Sequence, residues 1–175
     1  MKRPPKPLDS ARLEELALHY VGRFATTRAK LRTYLGRKIR ERGWDGERDP
    51  DVQALADRFA ERGYVDDKAY AAMKGRDLAA RGYGPRRVDQ AFHAAGISEA
   101  DGAEARGAAM DAKVASALKF AARRRLGPYA NAPLDDPAAR RRAVAAFARA
   151  GHDFQIASRI IDLPPGSDID PEDLL

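Results

Sequence analysis

Arginine is the residue type whose spacing carries most of the chemistry in this sequence. Arg28, Arg32, Arg37 and Arg40 fall near one stripe beside the apolar face of a helical segment. Arg86 and Arg87 follow directly on Gly82-Tyr83-Gly84-Pro85, and two triplets, Arg123–Arg125 and Arg140–Arg142, come later. A guanidinium is permanently charged and presents a planar fork of donors that matches a carboxylate or a phosphate. The chemistry on offer is therefore anion binding. Arg86 and Arg87 stand out because they open a helix, where the macrodipole disfavours cations by roughly a few tenths of a kcal/mol. An acidic partner, a phosphate, a pairing with Asp66 or Asp67, or plain solvation would account for them. Within a triplet, successive residues point around the helix, so one or two of three reach a common ligand; Arg124 and Arg141 are the candidates. Tyr83, between two glycines, can pack as a staple or face a partner.

Catalytic chemistry is poorly represented. His19, His93 and His152 are scattered, without the spacing of a metal site. Asp66-Asp67 and Asp135-Asp136 are adjacent pairs ahead of helices; neighbours in sequence point apart, so they read as caps rather than as a carboxylate pair for acid–base work. There is no cysteine, which removes thiolate nucleophiles, zinc–thiolate sites and disulfides together. No phosphate-binding loop or nucleophile elbow occurs. The expectation is a protein with no catalytic residues, no metal and no cofactor. Aromatic residues do not alternate with basic ones, so a base-stacking surface is not indicated.

The elements that must position these arginines are helices throughout. Apolar residues recur at helical spacing, as in Leu31, Tyr34, Leu35 and Ile39 or Val88, Ala91, Phe92 and Ala95. Caps and glycine stops place helices at about 9–24, 27–42, 51–62, 66–81, 85–95, 98–106, 108–126, 137–150 and 154–163. Ala69, Tyr70, Met73 and Leu78 are expected to face inward from the fourth, and Phe154, Ala157, Ile160 and Ile161 from the last. Gly102 and Gly107 weaken the segment after Ser98 by about 1 kcal/mol each relative to alanine. No stretch alternates with period two, so the fold class is all-α. Apolar residues are 44% of the chain but aromatics only 7%, which points to a thin core. No run of about 18 apolar residues is present, so no membrane span is expected, and the basic N-terminus lacks the apolar stretch of a secretory signal. Residues 1–44 hold 12 Lys and Arg against 4 Asp and Glu, whereas 151–175 hold 1 against 6.

Three helices end in glycine followed by a bulky or ring residue: Gly43-Trp44, Gly96-Ile97 and Gly151-His152. The glycines lie 53 and 55 residues apart, with apolar residues about four and eight positions before each. The period contains three helices. The expected organisation is a flexible basic arm at 1–8, helical repeats at 9–62, 63–106 and 107–163, and a disordered acidic tail at 164–175. Units of this size bury little surface alone, and sharing faces in a row would give an elongated, curved array.

GYVDD (63–67), RGYGPRR (81–87) and HAAGI (93–97), at this spacing, resemble the RecX family of recombination regulators. TTRAKLRTYL (26–35) is similar to that family's opening, and AGHDFQIASRIIDL (150–163) to its closing helix pair. The resemblance spans about residues 11–163. It implies three tandem three-helix repeats that bind the RecA recombinase in the groove of its filament on single-stranded DNA. It further implies modulation, usually inhibition, of strand exchange, ATP hydrolysis and co-protease activity in DNA repair and the SOS response. A non-enzymatic, cytoplasmic monomer without cofactor would follow, touching single-stranded DNA weakly or only through the filament. The alternative is a general DNA-binding protein acting through its basic helices.

Overall fold

The computed structural model describes residues 6–175. Among them are nine α-helices and no strand: α1 (Ser10–Val21), α2 (Arg28–Arg42), α3 (Val52–Glu61), α4 (Asp67–Ala80), α5 (Pro85–Ala95), α6 (Glu99–Asp111), α7 (Lys113–Arg124), α8 (Pro137–Arg149) and α9 (Phe154–Asp162). Short 3-10 turns follow at Gly127–Tyr129 and Pro171–Leu174. The all-α expectation holds. No helix among the described residues is long and apolar enough to cross a membrane. The chain forms two compact units, Met1–Tyr70 with Ala94–Asp101, and Ala71–His93 with Gly102–Leu175. Helices α4, α5 and α6 each contribute residues to both.

In the first unit α1, α2 and α3 start on side-chain caps. Asp9 accepts from the Arg12 amide, Thr27 from Lys30 and Asp51 from Ala54. Each satisfies an amide that has no partner inside its own helix. Leu13, Leu31, Leu35, Leu55 and Phe59 then meet in one apolar cluster. Leu8 belongs to it and is fully buried. Its amide donates to the Gly43 carbonyl at 3.0 Å, and its carbonyl accepts from Asp45 at 2.8 Å. The arm expected at 1–8 is thus pinned at its inner end. Residues 1–5 of that arm lie outside the described residues.

The core of the second unit is built by α7, α8 and α9, with Phe120, Phe147, Ile156 and Ile160 at its centre. Phe120 and Phe147 pack with ring centroids 4.7 Å apart. The tail, expected to be disordered, folds back onto this core. Gly166 donates to the Pro128 carbonyl at 2.8 Å, Asp170 caps the last 3-10 turn, and Leu174 is buried among the core residues. A tail rich in acids needs only one or two apolar anchors to be held, and Leu174 with Ile169 supplies them.

Other departures share a cause. Ala69 and Met73 of α4 face solvent, while Tyr70, Ala71 and Leu78 are buried. Gly75 is also buried, and a Cβ there would sit 3.6 Å from both Ala105 Cβ and Phe92 Cζ. Close helix approach selects small residues over the bulkier Met73. Phe154 is 63% exposed and Ile156 takes the inward place. Segment 98–111 forms one helix despite its glycines: Ser98 Oγ accepts from the Asp101 amide at 3.0 Å and donates to Asp101 Oδ2 at 2.7 Å, and Gly102 is buried in packing.

Leu174→Ala is expected to destabilise the protein by about 2–4 kcal/mol through lost apolar contact and a residual cavity. Chemical denaturation of the full chain measures it; an unchanged midpoint would mean the tail is not anchored in solution.

Candidate anion-contact surfaces

The α2 arginines separate into those the fold uses and those it presents. Arg28 is used. Its backbone amide donates to Asp67 Oδ1 at 2.9 Å, its Nε to Asp67 Oδ2 at 3.1 Å and its Nη2 to Asp101 Oδ2 at 3.1 Å. Asp67 is buried. It therefore acts as a remote cap for the first turn of α2, while its neighbour Asp66 caps α4 through the Ala69 amide at 2.8 Å. The paired aspartates of GYVDD do two jobs on two helices. Lys30 adds a bond to the Tyr70 hydroxyl at 2.6 Å. Arg32 donates to Gln53. Arg37 lies 3.7 Å from Glu41 and over the Tyr34 ring. Arg37 and Arg40 are exposed and remain available to an outside anion.

The glycine-rich turn before α5 is explained by backbone contact. The Gly84 amide donates to the Ala150 carbonyl at 2.9 Å and the Arg86 amide to the Gly151 carbonyl at 3.2 Å. The end of α8 thus satisfies the unpaired donors at the start of α5. A Cβ on Gly84 would lie 2.4 Å from Gly151 O, and one on Gly151 2.3 Å from the Arg87 amide nitrogen. Neither position tolerates a side chain. In the first unit, the end of α5 meets the start of α2 in a similar way: Thr27 Oγ1 donates to the Ala95 carbonyl at 2.6 Å, and a Cβ on Gly96 would collide with Ala29 Cβ at 2.3 Å.

His152 locks this turn. Its Nε2–H donates to the Gly82 carbonyl at 2.9 Å, and its ring packs against Phe120 and Phe147. Nδ1 is buried without a partner. Burial lowers the imidazole pKa below its usual value, with the Gly82 hydrogen bond opposing the shift.

Arg86, at the start of α5, pairs with Asp153 at 3.6 Å, both side chains being largely exposed. Arg87 turns toward the Tyr83 ring, 5.9 Å from its centroid, and Arg81 approaches the same ring at 5.5 Å. Tyr83 is half-buried against the second core. Beside it opens a cleft of about 300 Å³ lined by Arg81, Tyr83, Phe120, Arg123, Arg124 and Arg149, with Ala146 and Ala150. Arg124 lies 5.6 Å from the Phe120 centroid, and Arg123 donates to the Arg81 carbonyl. Arg81 also pairs with Asp77 at 3.5 Å.

Of the sequence candidates, the structure brings Tyr83 and Arg124 into one cleft, while Arg87 approaches the Tyr83 ring without lining it. Arg141 is exposed on α8, outside the cleft lining. Its neighbours are paired, Arg140 with Asp162 through two bonds of 2.9 and 2.7 Å and Arg142 with Asp136 at 3.6 Å. Sequence reasoning missed Arg81, Arg123 and Arg149 as members of one site. It took Arg124 alone from the Arg123–Arg125 triplet and did not connect it with Arg81 and Arg149, although all of them close helices, at α4, α7 and α8. Cations are favourable there beside unpaired carbonyls, and that was the available signal. Among the described residues no cluster of three or more His, Asp or Glu is placed to hold a metal.

These features define an all-α protein whose prominent polar groups are guanidiniums set at helix ends. Comparison with known proteins narrows the class. The chain is 34% identical over 171 residues to the regulatory protein RecX of Myxococcus xanthus (strain DK1622), covering 94% of this chain and 91% of that one. It is 34% identical over 97 residues to the regulatory protein RecX of Mycobacterium sp. (strain JLS), covering 54% of this chain and 51% of that one. The crystal structure of RecX from Lactobacillus salivarius superposes with a TM-score of 0.60 at 17% identity, over 86% of this chain and 93% of that one, and so shares the fold. No family model matches the chain. The protein belongs to the RecX family of regulatory proteins.

Two measurements test the local physics. Asp67→Ala should cost about 2 kcal/mol, because the α2 amide and Arg28 both lose a charged acceptor; urea unfolding reads it. For His152, the unfolded imidazole binds its proton more readily than the folded one. Stability should therefore be full above the unfolded pKa of about 6.5 and fall as the pH drops toward the lower folded value. Thermal melts between about pH 8 and 5 should show this decline in the native protein and a flatter profile in His152→Gln.

Proposed function

We propose that this protein is a non-enzymatic regulator that binds the RecA–single-stranded-DNA filament and lowers its recombinase, ATPase and co-protease activity. The observation that carries the reading is the 34% identity to a RecX regulatory protein over 94% of the chain. The motifs GYVDD and RGYGPRR, whose structural roles are assigned above, support it. In this reading the protein acts in the cytoplasm as a monomer without cofactor, and its helices form three tandem three-helix units along the filament groove. Individually weak contacts from successive units would then add through effective concentration. Exposed guanidiniums such as Arg37, Arg40, Arg86 and Arg87 are the side chains assigned to the filament, and DNA entry or filament growth is what they would block. A second reading, general DNA binding, is favoured by the arginine-lined cleft beside Tyr83.

Purified protein added to RecA filaments on single-stranded DNA should slow ATP hydrolysis and strand exchange, and should co-sediment with the filament more tightly than with bare DNA. Unchanged rates at saturating protein would defeat the first reading. Binding to bare DNA as tight as to the filament, with steep salt dependence, would establish the second. Arg86→Ala with Arg87→Ala should weaken filament binding about ten-fold, equivalent to about 1.4 kcal/mol, and leave the circular dichroism spectrum unchanged.

A further inference from the structure

The cleft beside Tyr83 gathers more positive charge than the fold requires. Arg81, Arg123, Arg124 and Arg149 converge on a space of about 300 Å³ from three separate helix ends. Among the described residues, no carboxylate pairs with Arg123, Arg124 or Arg149. Among the described residues Asp77, at Arg81, is the carboxylate that offsets the charge, and both partners of that pair are at least half exposed. Like charges held close in a concave site repel, and low-dielectric walls strengthen the field. Helix C-termini ease this repulsion but do not neutralise it.

We infer that this cleft is a phosphate-binding site. Three observations select phosphate. First, the lining cations are all guanidiniums, whose rigid forks suit oxyanions. A phosphate has enough oxygens to accept from several forks at once, while a carboxylate has two. Second, the ring surfaces are occupied. Arg81 and Arg87 both lie within 6.0 Å of the Tyr83 centroid, and Phe120 is buried with Arg124 over it. Phe120 is buried and the half-buried Tyr83 already has two guanidiniums beside its ring, so the cleft favours the backbone of a nucleic acid over its bases. Third, the guanidiniums are organised before any ligand arrives. Arg124 rests on Phe120, and Arg123 is tied to the Arg81 carbonyl. Ordered cations lose less rotamer freedom on binding. The phosphate can come from a nucleic-acid backbone or from a free oligophosphate; the cleft chemistry is the same. The inference goes beyond the proposed filament regulation and stands whether or not the recombinase is the partner.

The full chain is titrated with two probes at about 0.1 M salt: fluorescent oligothymidylate by anisotropy and inorganic tripolyphosphate by calorimetry. The cleft variant is Arg124→Gln with Arg149→Gln. The charge-matched control is Arg58→Gln with Arg62→Gln, which face Glu14 in the other unit. The cleft variant should lose at least about ten-fold in affinity for one or both probes, the control no more than about two-fold. For oligothymidylate, the logarithmic salt slope should fall by about one to two. Loss confined to oligothymidylate identifies backbone phosphates as the source; loss of tripolyphosphate binding identifies a free oligophosphate. Arg124→Lys with Arg149→Lys keeps the charge but not the forks and should fall between native and cleft variant. It also serves if the Gln pair melts early. Absence of binding by both probes, equal losses in the control, or competition by polyglutamate matching that of tripolyphosphate would overturn the assignment. Because no recombinase is present, its outcome is independent of the filament assay.

Discussion

The structure depends on backbone meeting backbone at helix ends. Where α8 finishes and α5 begins, two peptide carbonyls accept from two amides that have no partner within their own helix. That exchange needs the chains to approach closely enough to exclude any Cβ, and Gly84 and Gly151 meet the requirement from opposite sides. Gly151 has φ +89°, so it turns the chain out of α8 while staying thin. Everything nearby follows from this contact. His152 is carried under the turn, where it reaches the Gly82 carbonyl. Tyr83 is left half-buried against the second core with two guanidiniums near its ring. In the first unit Gly96 and Thr27 make a related junction.

Charge is divided between holding the fold and facing outward. Arg28 is spent internally, on one buried aspartate and one half-buried one. Arg140 is likewise held by both oxygens of Asp162. Pairs on the surface, such as Arg86 with Asp153, hold little free energy and can be exchanged for an external anion at small cost. The cleft beside Tyr83 is the third case, in which cations converge with few carboxylates among them. One residue type therefore serves as a rivet, as an exchangeable contact and as part of a receptor.

Much of the fold was legible locally. Caps such as Asp9, Thr27 and Asp51, and stops such as Gly43 and Gly96, placed helix boundaries to within a few residues, because capping involves atoms a few positions apart. Pro85 marked the start of α5 for the same reason. Inward faces were less legible where helices pack closely. Met73 and Phe154 are exposed because neighbouring backbones favour small residues or a different turn of the helix. The tail misled by its composition: acidic residues predicted disorder, but Leu174 finds an apolar seat supplied by residues far away in sequence.

The sequence by itself determined that the protein is helical, where most helices begin and end, and that arginine dominates its charged groups. Those properties come from backbone preference and side-chain type within a turn or two. Only the tertiary structure decided which arginines are tied to distant parts of the fold. Arg28 and Arg37 look alike in sequence, yet one is bound to Asp67, 39 residues away, and the other stays exposed beside its helical neighbour Glu41. Arg81, Arg124 and Arg149 look unrelated and share one cleft. Ion pairing and convergence depend on distances in space between groups far apart along the chain, which local pattern does not encode.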